Sequence, residues 1–380
     1  MVRNGSPSGC SAIGVYPLAM LEQARAGTLA PNLASATFDG TPGRLDRRGR
    51  ALRDLRISIT DRCNFRCPYC MPGEVFGRDY RFLPRDEILR YEEIHRLAAV
   101  FVGLGVHKLR ITGGEPTVRR GLPELVAMLA ALRTPEGQPV DLAMTTNGSA
   151  LRHLARPLAE AGLRRVTVSL DSLDDEVFRR MNGVDFPLAK VLDGIDAAVE
   201  VGLAPLKINV VLKRGENDGG VLALARWARD AGHILRFIEY MDVGTTNGWR
   251  LDDVVPAAEV VDTIGRAWPL EPLDAGYRGE VAGRWRYLDG RGEVGVIASV
   301  TQPFCGDCTR ARLSAEGNLY TCLFSAVGHD LRAPLRDGAT DDELADLVGG
   351  IWAGRDDRYS ERRAAATERL PKIEMFALGG

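Results

Sequence analysis

Six short runs rich in β-branched and aliphatic residues constrain the fold of this chain more than any other feature. They are 55–60 (LRISIT), 107–112 (HKLRIT), 140–146 (VDLAMTT), 164–170 (RRVTVSL), 206–212 (LKINVVL) and 234–240 (ILRFIEY). Between them lie stretches with apolar residues at three and four spacing. In 86–101, Ile88, Leu89, Tyr91, Ile94, Leu97, Ala98 and Phe101 share one helical face, and 122–133, 187–201 and 219–231 behave alike. Strands that alternate with helices call for right-handed βα crossovers and a parallel sheet. Six units are fewer than the eight of a closed barrel, so an incomplete barrel and an open sheet are both consistent.

The pattern changes after residue 250. Residues 256–268 predict a helix, 276–299 predict hairpins with turns at Asp289-Gly290 and Arg291-Gly292, and 341–363 predict a further helical stretch. Residues 1–45 are rich in Gly, Pro, Ala and Ser without sustained periodicity and are expected to form a disordered leader. The expected organisation is therefore a leader at 1–45, a βα region at 46–250 and a smaller α+β region at 251–380.

Six of the seven cysteines fall in two tight triplets, Cys63, Cys67, Cys70 and Cys305, Cys308, Cys322, while Cys10 stands alone in the leader. A disulfide framework suits small secreted chains, whereas this one has 380 residues and no export signal. Clustered thiols in such a chain are expected to be metal ligands in a reducing, cytoplasmic setting. A formal net charge of −2 argues against a general nucleic-acid binder, and no apolar run reaches the length of a membrane span.

The first triplet, spaced C-x3-C-x2-C, follows the first predicted strand, where parallel βα folds collect their chemistry. Thiolates suit zinc or an iron–sulfur cluster. A structural zinc site closes with four protein ligands, and no His lies near this triplet. A [4Fe–4S] cluster on three cysteines would instead leave one iron free for another ligand. One strand later comes Gly113-Gly114-Glu115-Pro116. Its glycines let backbone approach a ligand closely, and Glu115 offers an acceptor for an ammonium group. The second triplet, C-x2-C-x13-C, has Arg310 and Arg312 at alternate positions beside Cys308. A zinc knuckle completed by His329 is as consistent with that spacing as a second cluster. Two guanidiniums on one face suit a polyanion or surface ion pairs.

C-NFR-C-PY-C followed by GGEP resembles the radical S-adenosylmethionine (SAM) superfamily. Within it, DRCNFRCPYCMP, KLRITGGEPTVR, TTNG, SLDSL, KINVVLKRGEN, RFIEYMDVG, FCGDCTRARLSAEGNLYTCLF and the terminal Gly379-Gly380 resemble the GTP 3′,8-cyclase family of molybdenum cofactor biosynthesis over roughly residues 43–380. The resemblance implies an incomplete (βα)6 TIM-type barrel carrying a SAM cluster, plus a smaller C-terminal α+β region with a second iron–sulfur cluster. Cys63, Cys67 and Cys70 would hold the first [4Fe–4S] cluster, whose open iron takes SAM. Cys305, Cys308 and Cys322 would hold the second, whose open iron takes the purine of GTP.

By the same resemblance Tyr69, Gly113, Gly114, Glu115, Ser169 and Met241 would lie at SAM. Arg56, Lys108, Arg110, Thr145, Lys207, Arg236, Arg310 and Arg312 would lie at GTP, with Arg310, Arg312, Gly379 and Gly380 active in catalysis. The cations on strand edges would line a funnel for a triphosphate, although a buried salt-bridge network accounts for them as well. The implied reaction uses a 5′-deoxyadenosyl radical to convert GTP to 3′,8-cyclo-7,8-dihydro-GTP. Implied partners are a flavodoxin- or ferredoxin-type one-electron donor, a downstream cyclic pyranopterin monophosphate synthase, and a second copy in a homodimer. The sequence departs from the family pattern at Thr309, where Asn or Asp is common, and at Thr117, where Leu is frequent. A peptide-modifying radical SAM enzyme and a zinc-stabilised binding module are the competing expectations.

Overall fold

The computed structural model describes residues 44–363 and 372–379. Most of the expected leader, with Cys10, and the terminal Gly380 lie outside the described residues. The six predicted strands form, each within two residues of its expected bounds: β1 (Asp54–Ser58), β2 (Lys108–Thr112), β3 (Asp141–Thr146), β4 (Arg165–Ser169), β5 (Lys207–Leu212) and β6 (Ile234–Glu239). They pair consecutively and in parallel. Helices cover the outer face, and the alternation of each strand decides what lies there. Leu55, Ile57, Leu109, Ile111, Leu142, Met144, Val166 and Val168 are buried against helix residues such as Leu97, Phe101, Leu125 and Leu129. Their polar neighbours in the same strands point to the inside of the curved sheet.

The strands after residue 250 join this sheet at both edges. β9 (Glu293–Ile297) runs parallel to β6, and β10 (Arg310–Leu313) runs parallel to β1. Antiparallel strands flank each: β8 (Gly283–Tyr287) and β7 (Leu270–Leu273) beyond β9, β11 (Asn318–Tyr320) and β12 (His329–Asp330) beyond β10. The result is one 12-stranded sheet whose eight central strands are parallel and whose ends do not meet, an incomplete barrel with C-terminal additions. The β8–β9 hairpin turns through Gly290 and Gly292, both with positive φ, as the two X-Gly pairs predicted.

Several helices differ from expectation. The helix predicted from residue 86 begins at Tyr91, because the Arg90 backbone N–H donates to the Glu93 carboxylate while Leu89 is drawn off to the carbonyl of Ala315. The stretch predicted over 341–363 divides into Asp341–Ala353 and Tyr359–Arg362, because Arg355 turns into a buried ion network between them. Helices Leu151–Glu160 and Asp175–Asn182 were not expected; the first contains Pro157, and each offers only three buried positions.

Candidate active site

The two cysteine triplets lie at opposite ends of neighbouring strands. Cys63, Cys67 and Cys70 occupy the loop after the C-terminal end of β1. Cys305 and Cys308 sit just before the N-terminal end of β10, and Cys322 follows β11, which runs back antiparallel to that same end. Because β10 is parallel to β1, roughly five residues of strand at ~3.3 Å each separate the two groups, about 16 Å along the barrel.

The first loop is built tightly. Arg66, the arginine inside C-NFR-C, donates to the carbonyls of Cys63 at 2.7 Å, Phe65 at 2.7 Å and Phe76 at 2.6 Å. The GGEP turn locks onto the loop through Gly114 N–H to Thr60 O (2.7 Å) and Glu115 N–H to Arg62 O (2.8 Å). A Cβ on Gly114 would lie 2.4 Å from Arg62 O, so the close approach requires glycine. Glu115 is buried and its carboxylate is directed into the protein. Oε1 accepts from Thr117 N–H, Thr117 Oγ1 and Thr146 Oγ1, and Oε2 accepts from Asn147 N–H. Burial still pushes its carboxyl up despite these donors. Thr117, one of the two departures from the family pattern, thus supplies two of the four bonds, one of them from a hydroxyl that leucine lacks.

The three thiols are close enough to perturb one another. Burial raises Cys63 to about 12, aided by the Glu115 charge, and raises Cys67 and Cys70 as well, with the neighbouring thiols adding to it. Tyr69 donates its hydroxyl to Asp171 at 2.7 Å, and Val211 N–H donates to the same carboxylate at 2.9 Å. Burial raises Asp171 to about 6. Asp171 belongs to the SLDSL run, where sequence reading singled out Ser169 instead. Ser169 ends β4 on the inner face, and Met241 follows β6 on the same rim.

Inside the sheet, register aligns the predicted cations. Arg312, Arg56 and Arg110 are consecutive Cα partners across β10, β1 and β2, and Thr145, Thr167 and Lys207 are partners across β3, β4 and β5. Arg110 bridges the two rows, donating to Thr145 Oγ1 (2.9 Å) and Thr167 Oγ1 (3.1 Å). Three carboxylates answer part of the charge. Asp54 faces Lys108 at 3.4 Å, Glu280 faces Arg236 at 3.7 Å, and Asp141 pairs with Arg165, a cation that sequence reading passed over although it alternates with Thr167 and Ser169. Thr309, the second departure, holds Asp54 through its hydroxyl at 2.9 Å.

Arg56, Arg110, Lys207, Arg310 and Arg312 form no ion pair among the described residues. Burial and mutual repulsion lower Arg56 well below its usual range, Arg110 and Arg312 to about 10, and Lys207 to about 7. Arg310 Nε, Arg312 Nε and Arg312 Nη1 are buried without a hydrogen-bond partner. A sealed salt-bridge network would leave neither the repulsion nor the orphaned donors; an interior built for a polyanion leaves both.

The second triplet adjoins this cluster. Arg310 Nη2 lies 3.4 Å from the Cys308 sulfur. Burial would raise that thiol, but Arg310, Arg355 and Arg312 bring it down to about 6. Cys322 goes the other way, to about 11, under burial and the Asp357 charge. Metal ligation requires thiolates, and both settings supply cationic neighbours to support them. Among the described residues no three His, Cys, Asp or Glu groups converge on a single ion position, and His329 is engaged in the β11–β12 pairing.

The C-terminal segment returns to the barrel mouth. Lys372 Nζ donates to the Asp242 carboxylate at 2.9 Å, and Thr245 N–H, Thr245 Oγ1 and Thr246 Oγ1 donate to Glu374, each at 2.9 Å. Phe376 packs edge-on against Phe76 in the first cysteine loop. Gly379 is buried against Thr112 at the end of β2 with φ of 66°, and a Cβ there would lie 2.1 Å from Thr112 Cγ2.

The chain matches the Radical SAM superfamily model over residues 57–228 and the Molybdenum Cofactor Synthesis C model over residues 233–361. It is 60% identical over 323 residues to a GTP 3′,8-cyclase of Acidothermus cellulolyticus, covering 84% of this chain and 88% of that one. To a GTP 3′,8-cyclase of Xanthomonas campestris pv. campestris (strain 8004) it is 49% identical over 352 residues, covering 93% of this chain and 100% of the other. Among solved structures, Streptococcus suis SuiB bound to S-adenosylmethionine superposes with a TM-score of 0.58 at 14% identity, covering 82% of this chain and 70% of that chain. That likeness concerns the fold alone.

Proposed function

This chain belongs to the GTP 3′,8-cyclase family, and from that premise we propose how its residues carry the reaction. It is a radical SAM enzyme that converts GTP to 3′,8-cyclo-7,8-dihydro-GTP at the start of molybdenum cofactor biosynthesis, with SAM and two [4Fe–4S] clusters as its cofactors. Cys63, Cys67 and Cys70 would hold the first cluster, and Cys305, Cys308 and Cys322 the second. The first cluster with SAM supplies reductive cleavage of the sulfonium and a hydrogen-abstracting radical.

Tyr69, Gly113, Gly114, Ser169 and Met241 line the rim where SAM would sit. Gly113 and Gly114 let the turn press against the backbone of Thr60 and Arg62 beside the first triplet, and Glu115 ties GGEP to Thr146 and Asn147. Arg56, Lys108, Arg110, Thr145, Lys207, Arg236, Arg310 and Arg312 would grip the triphosphate and orient the ribose between the two triplets. Gly379, with Gly380 beyond it, would close the rim against water and fix the substrate. The observation that carries this reading is the charge of Arg56, Arg110, Lys207 and Arg312 inside the barrel, which burial and neighbouring cations disfavour and no ion pair among the described residues relieves.

The test is anaerobic incubation of reconstituted protein with SAM, dithionite and GTP. About eight irons per chain, from two four-iron clusters, and 5′-deoxyadenosine formed only when GTP is present are expected. 5′-Deoxyadenosine at the same rate without GTP would remove GTP as the substrate. No helix is long and apolar enough to cross a membrane among the described residues. A cytoplasmic location, a flavodoxin- or ferredoxin-type donor, a downstream cyclic pyranopterin monophosphate synthase and a homodimer belong to the same proposal.

A further inference from the structure

Two distant segments, 46–50 and 352–357, meet beneath the second cysteine triplet in a buried ion network that the reading above leaves unused. Asp46 is buried. Its Oδ2 accepts from Arg50 Nε at 2.6 Å and from Arg355 Nη1 at 3.3 Å, while its Oδ1 takes the backbone N–H groups of Arg48 and Arg50, both at 2.9 Å. Arg50 and Arg355 are almost wholly buried as well. Trp352 donates its indole N–H to the Arg50 carbonyl at 3.0 Å and lies face-on to the Arg355 guanidinium at 4.5 Å.

The free ends of the network reach all three cysteine segments. Arg50 Nη1 donates to the carbonyl of Cys305 at 2.8 Å, and Arg355 Nη1 donates to the carbonyl of Cys308 at 2.7 Å. Asp357 accepts from Thr321 Oγ1, the residue before Cys322, at 2.6 Å, and its own carbonyl accepts a further bond from Arg50 at 2.7 Å. Four charged groups therefore bind each other, the carbonyls of Cys305 and Cys308, and the hydroxyl of the residue before Cys322.

Burying such a network is costly for folding alone, since desolvation of the charges offsets most of their attraction. Preorganisation of a ligand set is a use that explains the cost, because outer contacts that fix first ligands govern how tightly a metal group is held. Two guanidiniums beside a site of three thiolates also favour its more reduced, more negative state. We propose that Asp46, Arg50, Arg355 and Asp357 are positioning residues for the second cluster, holding its three cysteines in place and setting its retention and potential. The inference rests on the two-cluster reading above.

The experiment reads each cluster alone. In a chain whose Cys63, Cys67 and Cys70 are replaced by Ala, only the second triplet binds iron, and about four irons per chain are expected after anaerobic reconstitution. Adding Arg355→Gln should speed iron loss to a chelator by about 10–100-fold, the usual effect of removing an outer-shell partner. The midpoint potential of what remains should move negative. Arg50→Lys, which keeps the charge and one donor, should fall between the two. In the complementary chain, with Cys305, Cys308 and Cys322 replaced by Ala, Arg355→Gln should leave iron retention at the first triplet unchanged. Unaltered retention and potential at the second triplet would overturn the proposal, and so would equal loss from both triplets, which would make the network a general packing tie. Failure of the parent second triplet to take up iron would instead overturn the two-cluster reading, and this inference with it.

Discussion

Arg56 on β1 and Arg312 on β10 are Cα partners in a parallel ladder, and neither forms an ion pair among the described residues; Asp54 supports the Arg56 charge only from a distance, and burial with the neighbouring arginines outweighs it. Like charges placed side by side in a confined interior destabilise the protein that holds them, and a bound polyanion reverses the sign of that contribution.

Replacing either arginine by methionine, which keeps volume and removes charge, should therefore separate stability from function. The unliganded Arg56→Met and Arg312→Met proteins are expected to melt no lower than the parent. Each should lose about 10–100-fold in kcat/KM for GTP, corresponding to ~1.5–3 kcal/mol for one charged hydrogen bond. Thermal melts with and without GTP check both halves, and the GTP-induced rise in Tm should shrink in each variant.

Lys207 predicts a pH effect. Burial first, and then Arg236, Arg165, Arg110 and Lys108, bring its ammonium down to about 7 from an ordinary value of 10.5. Below pH 7 the lysine is protonated in folded and unfolded chains alike, and the full cost of burying the charge is present. Between about 7 and 10.5 the unfolded chain binds the extra proton, so this group's contribution to stability rises with pH over that window. A triphosphate restores the proton, and GTP binding at pH 8 should take up protons. Calorimetric titration in two buffers of different ionisation enthalpy reads the uptake, which Lys207→Met should reduce.

Gly379 leaves no room for a side chain. Its φ of 66° and the 2.1 Å approach of a Cβ to Thr112 Cγ2 mean that Gly379→Ala cannot keep the tail where it lies. Turnover should fall by about 10-fold or more, since small misplacements at a reacting site are costly, while Tm changes little because Lys372, Glu374 and Phe376 keep their partners. Thr112→Ser, which removes the nearest methyl, should recover part of the loss in the double variant. Product formation and a melting curve on the four proteins decide it.

Glu115→Gln tests whether that carboxylate acts from behind the loop. A glutamine amide would turn one of its own donors toward Asn147 N–H or toward the Thr117 and Thr146 donors, leaving buried groups unsatisfied. A loss of ~1–3 kcal/mol in stability is expected, with iron retention weakened at the first triplet and intact at the second. Denaturant unfolding of the apo protein and chelator challenge of each triplet alone measure the two effects.

Much of this architecture was legible along the chain, because it is written in local pattern. β1 to β6 showed themselves through alternation, the β8–β9 hairpin through its glycines, and the cysteine loop through its position after a strand. Other features were not legible, because they depend on residues far apart. Nothing near Glu293 or Arg310 indicated that β9 and β10 would extend the parallel sheet at opposite edges. Glu115 read as an acceptor for an ammonium group, and its bonds to Thr117, Thr146 and Asn147 show only in the fold. Asp171 lies two positions from Ser169, and its role shows only in the approach of Tyr69 from 102 residues earlier and of Val211 from 40 residues later.

The sequence by itself determined the chemistry: two sets of three thiolates, a glycine turn beside the first, and cations on alternate strand positions. Side-chain alternation is a property of each strand alone, so those cations had to share a face wherever the strands went. Tertiary structure alone decided that the faces meet. Parallel register set Arg312, Arg56 and Arg110 in one row, and the return of 352–357 brought Arg355 and Asp357 to Asp46 and Arg50, some 300 residues away, beneath Cys305 and Cys308. Strand pairing and buried ion networks are contacts between distant segments, and their energies exist only once the chain has closed around them.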